Sequence, residues 1–190
     1  MDISFGGDAA FAFVSNIGLI TSRGKNGYDV MAAEWTKHVS YKPGLIAVAV
    51  NPSHATADNI RETGEFGVGI AAVDQNILVS IAGGSSGKNT NKIKILEELG
   101  YSLYKAKNID VFMVEGAGLN VECKLVREII LGDHITFIGE AVNVKIDTVK
   151  EPLVYHNGQY WKLGEPLQKP TPETMDLVNK TVAKYKKSAE

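Results

Sequence analysis

The sequence predicts a mainly β fold, a largely antiparallel barrel with short helices inserted between its strands. Three observations carry that reading. Strand-like runs are joined by hairpin signals, with Asn-Gly at 26–27 and again at 157–158. From Leu119 onward, Leu119, Val121, Cys123 and Leu125 alternate with Asn120, Glu122 and Lys124, the period of a half-buried strand. The strand that returns from Ile135 changes phase: Ile135, Phe137, Gly139 and Ala141 are odd, whereas Val142, Val144 and Ile146 are even. A slip of one residue beside Gly139 indicates a β-bulge or strong bend, which lets a long strand wrap a closed or half-open barrel.

The remaining elements follow in order. Residues 1–16 are Gly-rich and then apolar from Phe11 to Val14, leading into a strand at Ile17–Ser22. Arg23 to Gly27 is the turn, and Tyr28–Trp35 returns as the second arm of a hairpin. After Pro43-Gly44, the apolar run Leu45–Val50 is too short for a helix and reads as a strand buried on both faces. Asn51-Pro52 ends it. Thr56 is the expected N-cap of a helix from Ala57 to Thr63 that stops at Gly64, and Phe66–Ala71 is the next strand. Asp74 is expected to cap a helix through Ile81, with Ile77, Leu78 and Ile81 on its apolar face; a second helix spans Lys92 to Leu99, stopped by Gly100. Short strands are expected near Tyr101–Tyr104 and Val111–Val114, and a hairpin at Val154–Trp161. A last helix, about 172–187, enters at Thr171-Pro172 and carries Met175, Val178, Val182 and Tyr185 as one stripe, expected to pack on its own sheet.

The totals set bounds. A chain of 190 residues with 44% apolar and 22% charged content fits one globular domain, 1–190. A formal net charge of -2, with no stripe of Lys and Arg among aromatics, gives no electrostatic case for nucleic acid. Cys123 is a lone cysteine, so the expected compartment is a reducing cytoplasm; neither a secretion signal nor a spanning apolar run is read.

The chemistry concentrates in three stretches. Val30 to Thr36 runs from a strand through small residues to a large aromatic, where a flat ligand can approach backbone N–H and C=O groups. The loops 51–60 and 83–92 supply hydroxyls, amides, glycines and two lysines, a composition that suits phosphate. The known phosphate motifs fail. Gly87-Lys88 has Ala82 five positions before Gly87 and Asn89 after Lys88, and Gly116-Ala117-Gly118 has Val121 where a dinucleotide fingerprint needs glycine. A different phosphate site built from Thr56, Ser85, Lys88 and Lys92 stands beside the plainer reading of a surface loop and a helix cap. Trp35 is either a core or interface aromatic or a ring stacked on a ligand. His134 is either a functional donor or a hydrogen-bonded turn residue. His38, His54, His134 and His156 lack metal-site spacing, and no Ser–His–Asp set can be assembled.

Taken together, Asp29 to Trp35, Pro43, Thr56-Ala57-Asp58-Asn59-Ile60, Gly64-Glu65-Phe66, Ser86-Gly87-Lys88, Asn91-Lys92-Ile93, Glu122-Cys123-Lys124 and Gly132-Asp133-His134 through Ala141 resemble the flavin reductase-like family. The order of these motifs spans residues 11 to 164 and looks most like the flavoredoxin and ferric reductase branch. The resemblance implies a homodimeric, antiparallel Greek-key split β-barrel holding FMN. It assigns Ala32, Ala33, Glu34, Trp35 and Thr36 to the flavin ring, Asn51 to the same wall, and Thr56, Ser85, Ser86, Gly87, Lys88, Asn91 and Lys92 to the ribityl chain and phosphate. His134 would lie on the flavin or nicotinamide side, with Tyr155 and Trp161 closing the pocket. Two departures stand out: Asn91-Lys92-Ile93 replaces the usual Asp-Lys-Phe, and Glu34 precedes Trp35 where many relatives carry a small polar residue. The implied activity is FMN-dependent electron transfer between a donor, NAD(P)H or a redox protein, and an acceptor. The alternatives are an electron carrier with little NAD(P)H activity, the reductase half of a two-part monooxygenase, or a flavin storage or sensing module.

Overall fold

The computed structural model describes residues 2–4 and 6–187; the outermost residues of the expected 1–190 domain lie outside them. Its main sheet has seven antiparallel strands. β2 (Gly18–Gly24) and β3 (Gly27–Ala33) form the predicted hairpin, and β4 (Thr36–Ser40) and β5 (Leu45–Val50) form a second. β6 (Glu65–Ile70), β9 (Leu119–Leu131) and β10 (His134–Ile146) complete the order β3-β2-β6-β9-β10-β5-β4. The two edge strands, β3 and β4, are consecutive in the chain and separated only by Glu34 and Trp35. Three peptide links span at most about 11 Å, so the two edges must meet at that corner. The sheet therefore rolls round and stays open along the β3/β4 seam, a split barrel.

The phase change read in the sequence is a pair of register shifts between β9 and β10, at Ile138/Gly139 and at Ala141/Asn143. At Gly139 a Cβ would stand 2.4 Å from Phe66 Cζ and 2.7 Å from Cys123 Cβ, so the bend is packed directly against the barrel core. That core gathers Ile20, Val48, Phe66, Val68, Val121, Cys123 and Phe137, with Ala57 and Ile60 of α2 (Ala55–Thr63) on the same cluster. Burial pushes the Cys123 thiol up to about 12, which makes it an inert core residue.

A second core uses the other face of β2 and β3. Leu19 and Val30 pack there against Leu78, Val79 and Ala82 of α3 (Asn76–Gly84) and against Ile93 and Leu96 of α4 (Lys92–Glu98). Two faces are thus buried on β2, but not on β5, where the sequence led us to expect it. Ile46, Val48 and Val50 point inward while Leu45, Ala47 and Ala49 are only partly covered.

Other expectations are corrected at element ends. The strand from Tyr28 stops at Ala33, because Glu34 and Trp35 form the corner, and β4 was not anticipated. α2 begins at Ala55 with His54 at its N-cap; Thr56 lies inside its first turn, buried, and caps nothing. Asp74 sits in a 3₁₀ turn, Val73–Gln75, and pairs with Lys150 rather than capping α3. The buried face of α3 is Leu78, Val79 and Ala82, with Ile77 turned to solvent. Gly83 and Gly84 end that helix and are not part of the loop.

Two small sheets flank the barrel: β1 (Val14–Asn16) with β11 (Val154–His156) and β12 (Gln159–Trp161), and β7 (Leu103–Lys105) with β8 (Phe112–Val114). Asn157 and Gly158 both have positive φ, as the two-residue β11–β12 turn requires. α1 (Asp8–Phe11) precedes β1. The terminal helix, α5 (Pro172–Lys184), is capped by the Thr171 side chain as its sequence indicates, yet it buries no residue. The expectation that it packs on its own sheet is overturned. Among the described residues no helix is long and apolar enough to cross a membrane.

Glu122 fastens the loop between β7 and β8. Its buried carboxylate accepts from Lys107 N at 2.9 Å, Asn108 N at 2.6 Å and Asn143 Nδ2 at 2.9 Å. Burial opposes ionisation, but these donors outweigh it and hold the carboxyl below its ordinary value. A depressed folded-state value adds stability above the unfolded pKa, which is lost as pH falls through the folded one. Glu122→Gln is therefore expected to cost about 1–3 kcal/mol at pH 7. In urea denaturation the gap from wild type should narrow as pH drops below about 4; a gap independent of pH would contradict this role.

Candidate functional site

Where β3, the start of α2 and the end of α3 converge, they enclose a cavity of about 230 Å³. Its walls include Ala32, Ala55, Thr56, Ser85, Ser86 and Gly87. Each wall follows from local sequence. β3 is an edge strand, so one row of its backbone N–H and C=O groups faces no neighbouring strand. α2 presents its N-terminus, where the first N–H groups have no helical partner and the dipole is positive. Gly83 and Gly84 end α3 without side chains: a Cβ at Gly83 would touch Ala32 Cβ at 3.4 Å, and one at Gly84 would meet open space.

Beneath the cavity lies a buried ion pair. Lys92 Nζ stands 3.0 Å from Asp29 Oδ1, both side chains 2% exposed, and donates to Ala82 O at 3.3 Å. Thr56 Oγ1 donates to Asp29 Oδ2 at 3.3 Å. Gly87 presses on the same carboxylate, so that a Cβ there would lie 2.5 Å from Asp29 Cγ. Three stretches distant in sequence, around residues 29, 56 and 82–92, are thereby held together around one acid. Although Lys92 Nζ is close to Oδ1, that oxygen receives no well-directed hydrogen bond, so the contact is a charge pair rather than a saturated one.

Charges of both signs bear on the head of α2. His54, at the head of α2, has its Nδ1 3.2 Å from Met31 Sδ. Burial first, then the charge of Lys92, with His134 and Lys88 adding, pushes its imidazole below the ordinary 6.5, while the Asp29 carboxylate opposes them. A neutral His54 at pH 7 is the consequence. An anion with a short polar chain is the ligand that this combination of hydroxyls, helix N-terminus and cations accommodates.

The structure brings together Ala32, Thr56, Ser85, Ser86, Gly87 and Lys92 from the sequence-predicted set, and adds Asp29, Met31, His54, Ala55 and Ala82. It places the others elsewhere. Lys88 pairs with Asp58 at 3.4 Å on the rim. Asn91 caps α4, accepting from Lys94 N at 3.1 Å. Asn51 closes its own turn, accepting from Ser53 N and Oγ. Ala33 lies in the barrel core. Glu34, Trp35 and Thr36 line a different hollow on the outer side of the corner, where the Trp35 ring stands 4.6 Å from that of His134. Tyr155 packs against the second core, and Trp161 donates from Nε1 to His156 O in the small sheet. The missed Asp29 had one available signal, an acid in the middle of an otherwise apolar strand; its partner lies 63 positions away and gave none.

Residues 10–164 match the family model described as Flavin reductase like domain. An uncharacterized protein of Archaeoglobus fulgidus is 35% identical over 116 residues, 61% of this chain; the match spans 64% of that protein's length. A ferric-chelate reductase (NAD(P)H) of the same organism is 26% identical over 149 residues, covering 77% of this chain and 85% of that one. Among solved structures, flavoredoxin of Desulfovibrio vulgaris (Miyazaki F) superposes with a TM-score of 0.74 at 25% identity, covering 92% of this chain and 100% of that one. With the model matched over most of its length and the open barrel in place, the chain belongs to the flavin reductase like domain family.

Proposed function

We propose that the protein is an FMN-dependent oxidoreductase whose cavity at β3, α2, the end of α3 and the 85–87 loop takes the phosphate end of the flavin. The observation that carries this is the convergence of an α2 N-terminus, the Ser85 and Ser86 hydroxyls and a glycine-smoothed wall on one cavity. A cavity of about 230 Å³ suits a phosphate and its chain rather than a whole tricyclic nucleotide. The ring end would continue past Ala32 toward the Glu34–Trp35 corner. Bound flavin supplies the redox chemistry itself, taking a hydride and passing electrons on singly or in pairs. The chain's task is to bind, orient and shield.

The cation arrangement refines the sequence reading. Lys92 is already matched by Asp29, so its charge is partly spent within the protein. The phosphate would rely first on backbone N–H groups and hydroxyls, with Lys92 setting the field. A one-sided cavity and the exposed Trp35 support a homodimer in which a second copy completes the pocket. The donor is proposed to be NAD(P)H, in line with the named activity of the ferric-chelate reductase relative. Similarity to flavoredoxin along nearly the whole chain favours one second reading, an electron carrier reduced by a protein partner.

Anaerobic mixing of the FMN-loaded protein with NADH or NADPH tests the first reading. Loss of the flavin's visible absorbance within seconds is expected; bleaching only by a reduced redox protein would transfer the assignment to the carrier.

A further inference from the structure

The matched family segment ends at residue 164, but the chain continues into α5. Between β12 and that helix, residues 162–171 form no regular element and are exposed throughout. Every residue of α5 is exposed as well. A helix of 13 residues is marginal in water on its own, since its stability normally comes from packing one apolar face. That face exists. Met175, Val178, Val182 and Tyr185 form one stripe, while Glu173, Asp176, Lys180 and Lys184 lie on the opposite side. α5 therefore has the make-up of a half-buried helix and no seat among the described residues of its own chain.

An unfilled seat of matching character lies on the outer side of the corner. A hollow of about 320 Å³ is formed by Phe13, Val14, Trp35, Ala47, Ala49 and Thr136. Its rim carries three large apolar side chains left open, Phe13 at 62%, Val14 at 66% and Trp35 at 57% exposure. Singly exposed hydrophobics are ordinary; a contiguous set around a depression marks an interaction surface. The depression itself comes from Ala47 and Ala49, the small outward-facing residues of β5. The arm leaves the barrel beside this hollow: Trp161 donates to His156 O, and the His156 ring lies against Phe13 O at 3.3 Å. From there a tether of ten residues reaches at most about 35 Å, enough to cross to a neighbouring copy.

We propose that the C-terminal arm clamps two copies together, the Met175–Val178–Val182 stripe of one chain seated in the hollow lined by Phe13, Val14, Trp35, Ala47 and Ala49 of the other. The inference rests on the homodimer reading above and adds the element that holds the dimer. A second copy is the occupant because α5 stands clear of the hollow in its own chain, every residue of it exposed, while its ten-residue tether reaches a neighbour. Seated there, α5 covers the Trp35 side of the corner, so dimer formation and closure of the ring end of the proposed flavin site occur together.

The test mixes two full-length single variants, Val14→Cys and Val178→Cys, under mild oxidation. Buried Cys123, with its raised thiol pKa, does not compete. The expected result is a non-reduced band at twice the 20.5 kDa chain mass in the mixture, weak or absent for either variant alone and when Val149→Cys replaces Val14→Cys. Val178→Lys should also raise the dimer dissociation constant at least about a hundredfold in sedimentation, the effect of losing two buried valines, one in each clamp. No cross-link in a protein that still sediments as a dimer overturns the clamp and leaves the homodimer standing; a monomer overturns both. A disulfide at single-chain mass in the Val14→Cys/Val178→Cys double variant would also overturn it, since the arm would then close on its own barrel.

Discussion

Lys92→Met is expected to remove about 3–5 kcal/mol of folding stability, because it strands a buried carboxylate. The methionine fills nearly the same volume, so lost packing contributes little. What disappears is the cation 3.0 Å from Asp29, at a site where both side chains are 2% exposed. Thr56 Oγ1 remains as a donor at 3.3 Å, and one neutral hydrogen bond is worth about 1 kcal/mol, too little to compensate. The check is urea denaturation of Lys92→Met, Asp29→Asn and the double variant. The double variant should recover most of the loss, since removing both members of a buried pair is often close to neutral. Single variants that add up to the double would show that the two charges do not act as a unit. Flavin affinity should be compared in the double variant, where fold and site effects separate.

The second large effect is expected at Gly139. A valine there must place its Cβ where Phe66 Cζ and Cys123 Cβ already lie, 2.4 and 2.7 Å away, and neither neighbour has solvent to move into. Overpacking of this kind costs about 1–3 kcal/mol, sometimes more. Here it also strains the bulge that shifts the β9–β10 register between Ile138 and Gly139. Thermal unfolding of Gly139→Ala, Gly139→Val and Gly139→Ala/Phe66→Leu checks the cause. The shortened side chain should rescue part of the alanine variant's loss; no rescue would place the cost in the backbone rather than the contact.

Gly139 also shows why so much of the fold was legible. A change of phase within one strand is local information, and so are the Asn157-Gly158 turn, the Gly64 stop and the alternation from Leu119. Elements whose boundaries depend on distant packing were harder to read. The strand from Tyr28 ends at Ala33 because the sheet must turn its corner at Glu34 and Trp35, which no local preference announces. β5 reads as a doubly buried run, but Ala47 and Ala49 face a hollow, not a second layer. The site divides in the same way. Small and hydroxyl residues pointed to Ala32, Thr56 and Ser85–Gly87, whereas Asp29 and Lys92 gain their meaning from a contact across 63 residues. Lys88 and Asn91 have the right composition for phosphate, but a rim ion pair and a helix cap claim them.

The central claim is that the cavity at β3, α2, the end of α3 and the 85–87 loop recognises the phosphate of a flavin. Fluorescence titration with FMN and with riboflavin, which differ only in that phosphate, tests it most directly. A charge-assisted hydrogen bond contributes about 1.5–3 kcal/mol, so FMN should bind at least about tenfold more tightly than riboflavin. Ser85→Ala/Ser86→Ala should narrow that ratio without unfolding the protein, since Ser85 is only half-buried and Ser86 is exposed. Equal affinity for the two flavins, or a protein that binds neither, would contradict the account.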